Sequence, residues 1–383
     1  MTKIITDSKL IKNIFERYTE TIFPSKEKAT EILMSGKQLS FYIGIDPTGP
    51  DIHLGHTTNF FVLKKLINLG HKVVLLIGDF TAQIGDPTGK DTSRKPLSEE
   101  EIKENMATYI QQAHKILPKG SFEVKYNSQW LRDLSFKDII KLSSYFTVQQ
   151  IISRDMFQKR LKEDKPIGLH EFLYPLAQGY DSVAMEVDGE VGGNDQTFNM
   201  LVGRDLSKTI LHKDKIVITT KLLEDPASGK KIMSKSEGRY ISLNDEPREV
   251  RRKILALEDQ MTKVIFELCT EEDQGLIVEN YSKLTPREFK ELLADRLIEM
   301  YYPGENKVKE AHQPKEINEA ELLGADLGGA IKIFGFTSSV SAAKNLVIGG
   351  AVEVNDEVEK NWKYKPKKGD RIRVGKGKFG LIK

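Results

Sequence analysis

Between Leu39 and Ile77 the chain spells a strand, a helix and a second strand in immediate succession. Leu39–Ile45 has the composition of a strand. Leu54–Leu69 carries apolar residues at helical spacing and stops at Gly70. Lys72–Ile77 is a short apolar run without alternation, as expected of a strand buried on both faces. A further strand is expected at Ile216–Leu222. Strand–helix–strand repetition predicts an α/β fold, a Rossmann-like doubly wound parallel sheet that binds ligands at the carboxyl ends of its strands. Ser98–Leu117 reads as an amphipathic helix, opened by Ser98 with acids in its first turn. Phe136–Lys162 and Leu169–Met185 read as helices inserted, at about 125–190, between the halves of the sheet.

A chain of 383 residues is long enough for two or three domains. Residues 1–240 are expected to hold the sheet. Pro247–Tyr302 is charged, helical and poor in glycine, so 241–316 reads as a separate α-helical domain ending in a polar linker with Pro303 and Pro314. Residues 322–383 read as a small α/β module, with a helix at Ser338–Ile348 broken by Gly349–Gly350. Its 12 Lys and Arg against 6 Asp and Glu give it +6, and the chain's total of +2 leaves −4 for the rest. A basic tail on an acidic body suggests a polyanionic partner held by one end. Cys269 is the single cysteine, which excludes an internal disulfide framework and any cysteine-rich zinc site. No apolar run approaches the roughly 20 residues of a membrane span. The first twenty residues mix acids with apolar residues and lack a signal peptide's core, so a cytoplasmic location is expected.

Three segments carry chemistry. In Tyr42-Ile-Gly-Ile-Asp-Pro-Thr-Gly-Pro-Asp-Ile-His53-Leu-Gly55-His56 a strand runs through a loop into a helix. His53 and His56 are nearly one turn apart and can face one ligand, and Gly55 leaves room for a flat group. A helix N-terminus there suits a phosphate. No third ligand sits at helical spacing, which disfavours a metal. Lys231-Ile-Met-Ser-Lys-Ser236 supplies lysines among small hydroxyl residues, able to close on a polyphosphate. Tyr174-Pro-Leu-Ala-Gln178-Gly-Tyr-Asp181 sets Tyr174, Gln178 and Asp181 on one helical face, a poor core stripe but a good pocket wall.

The H-x-G-H and M-S-K-S segments together resemble the paired signatures of class I aminoacyl-tRNA synthetases. Here Ile232 stands where that family usually has its first lysine, with Lys231 one residue upstream and Lys235 in the second position. Which lysine does the work of the first is left open by the sequence. The segment from Tyr174 to Asp181 resembles the tyrosine-binding helix of the bacterial tyrosyl-tRNA synthetases. That resemblance implies that Asp181 and Tyr42 hold a phenol and that Tyr174, Gln178 and Asp86 hold an ammonium. Asp86 lies in Gly-Asp-Pro-Thr-Gly-Lys90, which also matches. Gly192-Gly193-Asn194-Asp195-Gln196 resembles the family's ribose and adenine strip, with Asp46 and Thr48 at the same mouth. Lys90 and Arg94 resemble a mobile basic segment that reaches pyrophosphate. Asn59 and Gln196 are weaker matches. The tail resembles an RNA-binding module first seen in the fourth small-subunit ribosomal protein.

The family implies an enzyme that activates L-tyrosine with ATP and transfers it to tRNA(Tyr). Catalysis is expected from His53, His56, Lys231 and Lys235, with Mg2+ carried on the ATP phosphates and no dedicated protein cage. Phosphate contacts to tRNA are expected from Lys363, Lys365, Lys367, Lys368, Arg371 and Arg373. The family also implies a homodimer formed near Phe136–Lys162. Rival readings are a tryptophanyl enzyme, a small nucleotidyltransferase, and a synthetase-like RNA-binding factor without activity.

Overall fold

The computed structural model describes residues 3–88, 97–233, 240–303, 315–355, 357–375 and 378–383. Two compact units divide the chain, with the boundary after Pro303. In the first, six strands form one sheet: β1 (Thr19–Phe23), β2 (Ser40–Ile45), β3 (Lys72–Ile77), β4 (Glu123–Tyr126), β5 (Gly189–Gly193) and β6 (Ile216–Thr220). Their order is β1-β6-β5-β2-β3-β4. All neighbours are parallel except the edge strand β1, which runs antiparallel to β6. The chain leaves β2 toward β3 on one side and returns to β5 on the other. The order of winding therefore reverses between β2 and β5, and a crevice opens at their carboxyl ends.

Local signals explain the differences from the sequence reading. The stretch expected as one helix at Phe136–Lys162 is three: Phe136–Ser143, Val148–Ile152 and Asp155–Lys162. Ser135 with Asp138 and Thr147 with Gln150 form reciprocal capping boxes, and each starts a new helix. Ser98–Leu117 likewise divides into Glu99–Met106 and Tyr109–Ala113. β5 has the sequence Gly-Glu-Val-Gly-Gly, of low strand propensity. It exists because both its neighbours bond it, not because its residues prefer the conformation.

The helices Pro247–Leu255, Asp259–Cys269, Gln274–Lys283 and Pro286–Tyr301 do not form a core of their own. Ile254, Phe266, Leu293 and Tyr301 belong to the same apolar core as Phe41, Phe60 and Leu75 of the sheet layers. The division expected at 240/241 is therefore no break in packing.

The second unit builds a five-stranded sheet from β7 (Lys315–Ile317), β8 (Val352–Val354), β9 (Glu357–Val358), β10 (Arg371–Val374) and β11 (Lys378–Ile382), in the order β7-β11-β10-β8-β9. Leu327, Ile331, Phe334, Val347 and Ile372 are among the buried residues of its separate core. Since β7 pairs with β11, the strand Lys315–Ile317, upstream of residue 322, belongs to this unit as well.

Candidate active site

At the crevice between β2 and β5 lies a cavity of about 290 Å³. Asp46 follows β2 directly. Its Oδ1 accepts from Thr81 Oγ1 (2.7 Å) and its Oδ2 from the Tyr174 hydroxyl (2.9 Å). Gly78 follows the neighbouring strand β3. A Cβ there would stand 2.0 Å from Asp46 Oδ1 and 2.4 Å from Thr81 Oγ1, so only glycine lets this cluster close. Asp86 accepts from the Thr88 backbone N–H and hydroxyl, and from Gln196 Nε2 at 2.8 Å. Gln196 in turn accepts from Asn199. Thus Gln196 orients an acid, which a surface role would not require.

The helix Tyr174–Ala184 presents Tyr174, Gln178 and Asp181 to the cavity together. Among the described residues Gln178 Oε1 is buried without a hydrogen-bond partner, and its amide faces the same space as Asp46 and Asp86. Asp181 is buried; Trp130 Nε1 donates to it at 2.8 Å and Asn127 Nδ2 at 3.3 Å. Burial pushes its carboxyl well above the usual carboxylate range, a rise these two donors oppose without cancelling. Tyr42 has no exposed surface, and its hydroxyl lies 2.9 Å from Ser182 Oγ.

At the other end, His53 caps a short 3₁₀ turn, Leu54–His56, and the imidazole rings of His53 and His56 lie 4.0 Å apart. His53 Nδ1 accepts from the Gly55 N–H, and a Cβ on Gly55 would stand 2.9 Å from that ring. The loop is stitched to the segment that follows the second signature. Leu54 N–H donates to the Ile241 carbonyl and Leu243 N–H to that of Ile52. Met233 and Gly55 line the cavity together. Two segments some 180 residues apart in sequence thus meet at one mouth. Thr48, Asn59, Gly193 and Asp195 complete this end, and Lys231 Nζ lies 2.6 Å from Asp195 Oδ2. Asn59 accepts from Thr220 and braces β6. Lys90, Arg94 and Lys235 lie outside the described residues. Among the described residues no group of three His, Cys, Asp or Glu is arranged to hold a metal ion, and no helix is long and apolar enough to cross a membrane.

Sequence reasoning missed Thr81, Asn127, Trp130, Ser182, Glu190 and Lys215. Asn127 directly follows β4, and a polar residue at the carboxyl end of a parallel strand was the available signal. In the tail, Arg371 and Arg373 alternate outward on β10, and Lys363, Lys365, Lys367 and Lys368 are exposed. Arg373 is ion-paired with Glu353, so it is not wholly available to a phosphate. Trp362 and Tyr364 pack against the module's core, with Lys344 Nζ 3.5 Å above the Trp362 ring.

A family model described as tRNA synthetases class I (W and Y) matches residues 34–317. A tyrosine--tRNA ligase of Carboxydothermus hydrogenoformans is 41% identical over 394 residues, covering 96% of each chain. One from Helicobacter pylori is 42% identical and covers 88% of each. Among solved structures, the tyrosyl-tRNA synthetase of Aeropyrum pernix superposes with a TM-score of 0.62 at 20% identity, over 78% of this chain and 94% of that one. That of Archaeoglobus fulgidus, complexed with L-tyrosine, gives 0.61 at 22%, over 77% and 97%. These two likenesses speak to the fold. The matched span and the two curated relatives, taken with the geometry of the crevice, establish that the chain belongs to the class I tRNA synthetases of the tryptophan and tyrosine branch.

Proposed function

We propose that the cavity holds tyrosine at its Asp181 end and ATP at its histidine end, and that the product is handed to tRNA. The chain is a tyrosine--tRNA ligase. The observation that carries the amino-acid assignment is the buried Asp181 carboxylate, held by Trp130 and Asn127 at the end of the cavity. A buried acceptor of this kind suits a substrate O–H, which would otherwise lose its partner on leaving water. Asp46, Asp86 and the unpartnered Gln178 Oε1 supply acceptors for an ammonium nearer the mouth.

In the first step the tyrosine carboxylate oxygen bonds to the α-phosphorus of ATP, and the bond to the β-phosphate bridging oxygen breaks. Tyrosyl-adenylate and pyrophosphate result. The carboxylate is already ionised, so no protein base is required. The chain's task is alignment and stabilisation of charge on the phosphates. His53 and His56 stand at the end where the phosphates would lie, Gly193 and Asp195 at the nucleoside, and Lys231, Lys235, Lys90 and Arg94 are assigned to the charge that builds on the leaving group. Magnesium is assigned to the ATP phosphates as their counterion. In the second step a ribose hydroxyl at the 3′ end of tRNA attacks the tyrosyl carbonyl carbon, and AMP leaves. The exposed basic residues of the tail are proposed to hold the tRNA backbone, and two chains to pair through the insertion. The work of translation sets the proposed location in the cytoplasm.

ATP–pyrophosphate exchange measured with each amino acid in turn tests the reading. Tyrosine alone should support rapid exchange. A response to tryptophan instead, or to none, would overturn it.

A further inference from the structure

Asp46, Thr48 and His53 all line the cavity, yet residues 47–52 between them belong to neither a strand nor a helix. Pro47 and Pro50 have no N–H, and the carbonyls of such a loop need donors from elsewhere in the fold. One row of side chains supplies them. Asn105 lies in the helix Glu99–Met106, and Tyr109 and Gln112 lie in the helix Tyr109–Ala113. Their spacing of four and three residues is that of one helical face. Asn105 Nδ2 donates to the Pro47 carbonyl at 2.9 Å, the Tyr109 hydroxyl to that of Gly49 at 2.5 Å, and Gln112 Nε2 to that of Pro50 at 2.9 Å. Gln112 Oε1 in turn accepts from the Ile52 N–H at 2.6 Å. The order along the helices matches the order along the loop. Tyr109 is 1% and Gln112 0% exposed. Burial raises the Tyr109 pKa, so its hydroxyl stays protonated and able to donate.

The same helices also hold the segment that follows the second signature. Asn244 Nδ2 lies 3.2 Å from both Thr108 Oγ1 and Asp51 Oδ1, and Lys115 Nζ donates to the Leu243 carbonyl at 2.5 Å. An apolar residue would fill the place of Gln112 without needing polar partners. An amide instead sets its donor and its acceptor at a fixed angle, and the Pro50 carbonyl and Ile52 N–H satisfy both in one placement of the loop. His53 follows Ile52 directly. A displacement of about an ångström at a group that faces the reacting atoms can cost about a hundredfold in rate. The other end of the cavity is held by different residues: Asp181 by Trp130 and Asn127, Asp86 by Thr88 and Gln196.

We infer that Asn105, Tyr109 and Gln112 are positioning residues for the ATP half of the reaction, which fix the backbone of residues 47–52 so that Thr48 and His53 meet the nucleotide in one register. The inference rests on the placing of ATP at the histidine end. It assigns to a stripe outside the cavity a task that is specific to one of the two substrates.

The test measures ATP–pyrophosphate exchange and melting temperature for wild type, Tyr109→Phe, Gln112→Met and the core variant Ile254→Ala. Ile254 is fully buried and does not line the cavity, so it shows what loss of stability alone does. Gln112→Met keeps the length of the side chain and removes both polar ends; Tyr109→Phe removes one hydroxyl. The expected result is a kcat/KM for ATP lowered about tenfold in Gln112→Met and about threefold in Tyr109→Phe, the scale of hydrogen bonds lost from a buried backbone. The KM for tyrosine should hold within about twofold in both. Ile254→Ala should keep both constants within about twofold at a temperature well below its melting point. If the two stripe variants lose only melting temperature, as Ile254→Ala does, or raise the KM for tyrosine as much as that for ATP, the inference is overturned. Should Gln112→Met fail to fold, Tyr109→Phe decides alone. His56→Ala separates the inference from the reading beneath it. If His56→Ala exchanges as well as wild type, the placing of ATP falls first. If His56→Ala is crippled while the stripe variants keep full kcat/KM for ATP, only the role of the stripe falls.

Discussion

At the scale of single residues, the displaced signature lysine has a physical account. Ile232 is buried, and its N–H donates to the Leu223 carbonyl at 2.8 Å, while the backbone of Lys231 forms an isolated antiparallel β-bridge with that of Glu224. A lysine at 232 would carry its ammonium into apolar surroundings, which costs several kcal/mol unless a partner is present. Of positions 231 and 232, the register therefore turns 231 over the cavity, where its lysine meets Asp195. Lys231→Ala should lower the rate of adenylate formation at saturating substrates by about tenfold or more, with tyrosine binding held within about twofold, because the proposed partner of the lysine is phosphate charge that develops during reaction. Single-turnover adenylate formation beside equilibrium dialysis of tyrosine checks this; equal losses in both would remove the role. Ile232→Lys should destabilise the fold by about 2–4 kcal/mol, read as a shift in the denaturation midpoint. The residues legible in the sequence were those in contiguous motifs, such as His53, His56, Asp86 and the Tyr174–Asp181 face. Lys215 was not, since in His-Lys-Asp-Lys it reads as one more surface charge. Only the closure of β5, β6 and the helix bearing Ser182 puts it inside.

At the scale of elements, periodicity found the strands that are apolar and the helices that are long. It missed β1 and β5, which depend on their neighbours, and it fused helices that capping boxes separate. The helices of the insertion also expose apolar side chains that the monomer does not cover. Phe136 is 80% and Leu169 79% exposed, with Ile140 and Val148 exposed as well. Apolar residues gathered in one segment mark an interaction surface more often than a solvated one. A buried ion pair of Arg160 with Glu171 ties the helix Asp155–Lys162 to the turn that bears Leu169. The proposed occupant is a second copy of the chain, in keeping with the two-fold symmetry most soluble oligomers adopt. Light scattering should give the mass of two chains for wild type and of one for Phe136→Lys/Ile140→Lys. A wild-type monomer at micromolar concentration, or a double variant that still pairs, would exclude this face.

At the scale of the whole molecule, the tail can be considered apart from the chemistry. Among the described residues none that lines the cavity lies beyond Met233, and the tail has its own core. Its first strand, β7, is paired with β11, so a cut near residue 316 would split that strand and leave its stub without a partner. The informative truncation ends at Pro303, where the first unit ends. Exposed Lys363, Lys365, Lys367 and Lys368 are the proposed phosphate contacts, Arg373 being paired with Glu353. Binding of a phosphate backbone by about four such contacts releases a comparable number of counterions, so affinity should fall with a logarithmic salt slope near −4. A chain ending at Pro303 should form tyrosyl-adenylate at close to the full-length rate. It should charge tRNA at least about tenfold less efficiently near physiological salt, and the loss should appear in KM for tRNA, with kcat nearly kept. Its remaining salt dependence should be shallower than that of the full chain, because the contacts that release counterions have gone. Charging assays on both chains across a salt series measure the two slopes directly. If the truncated chain charges tRNA as well as the full chain at physiological salt, the basic tail is a solvated face and the tRNA is held elsewhere on the molecule.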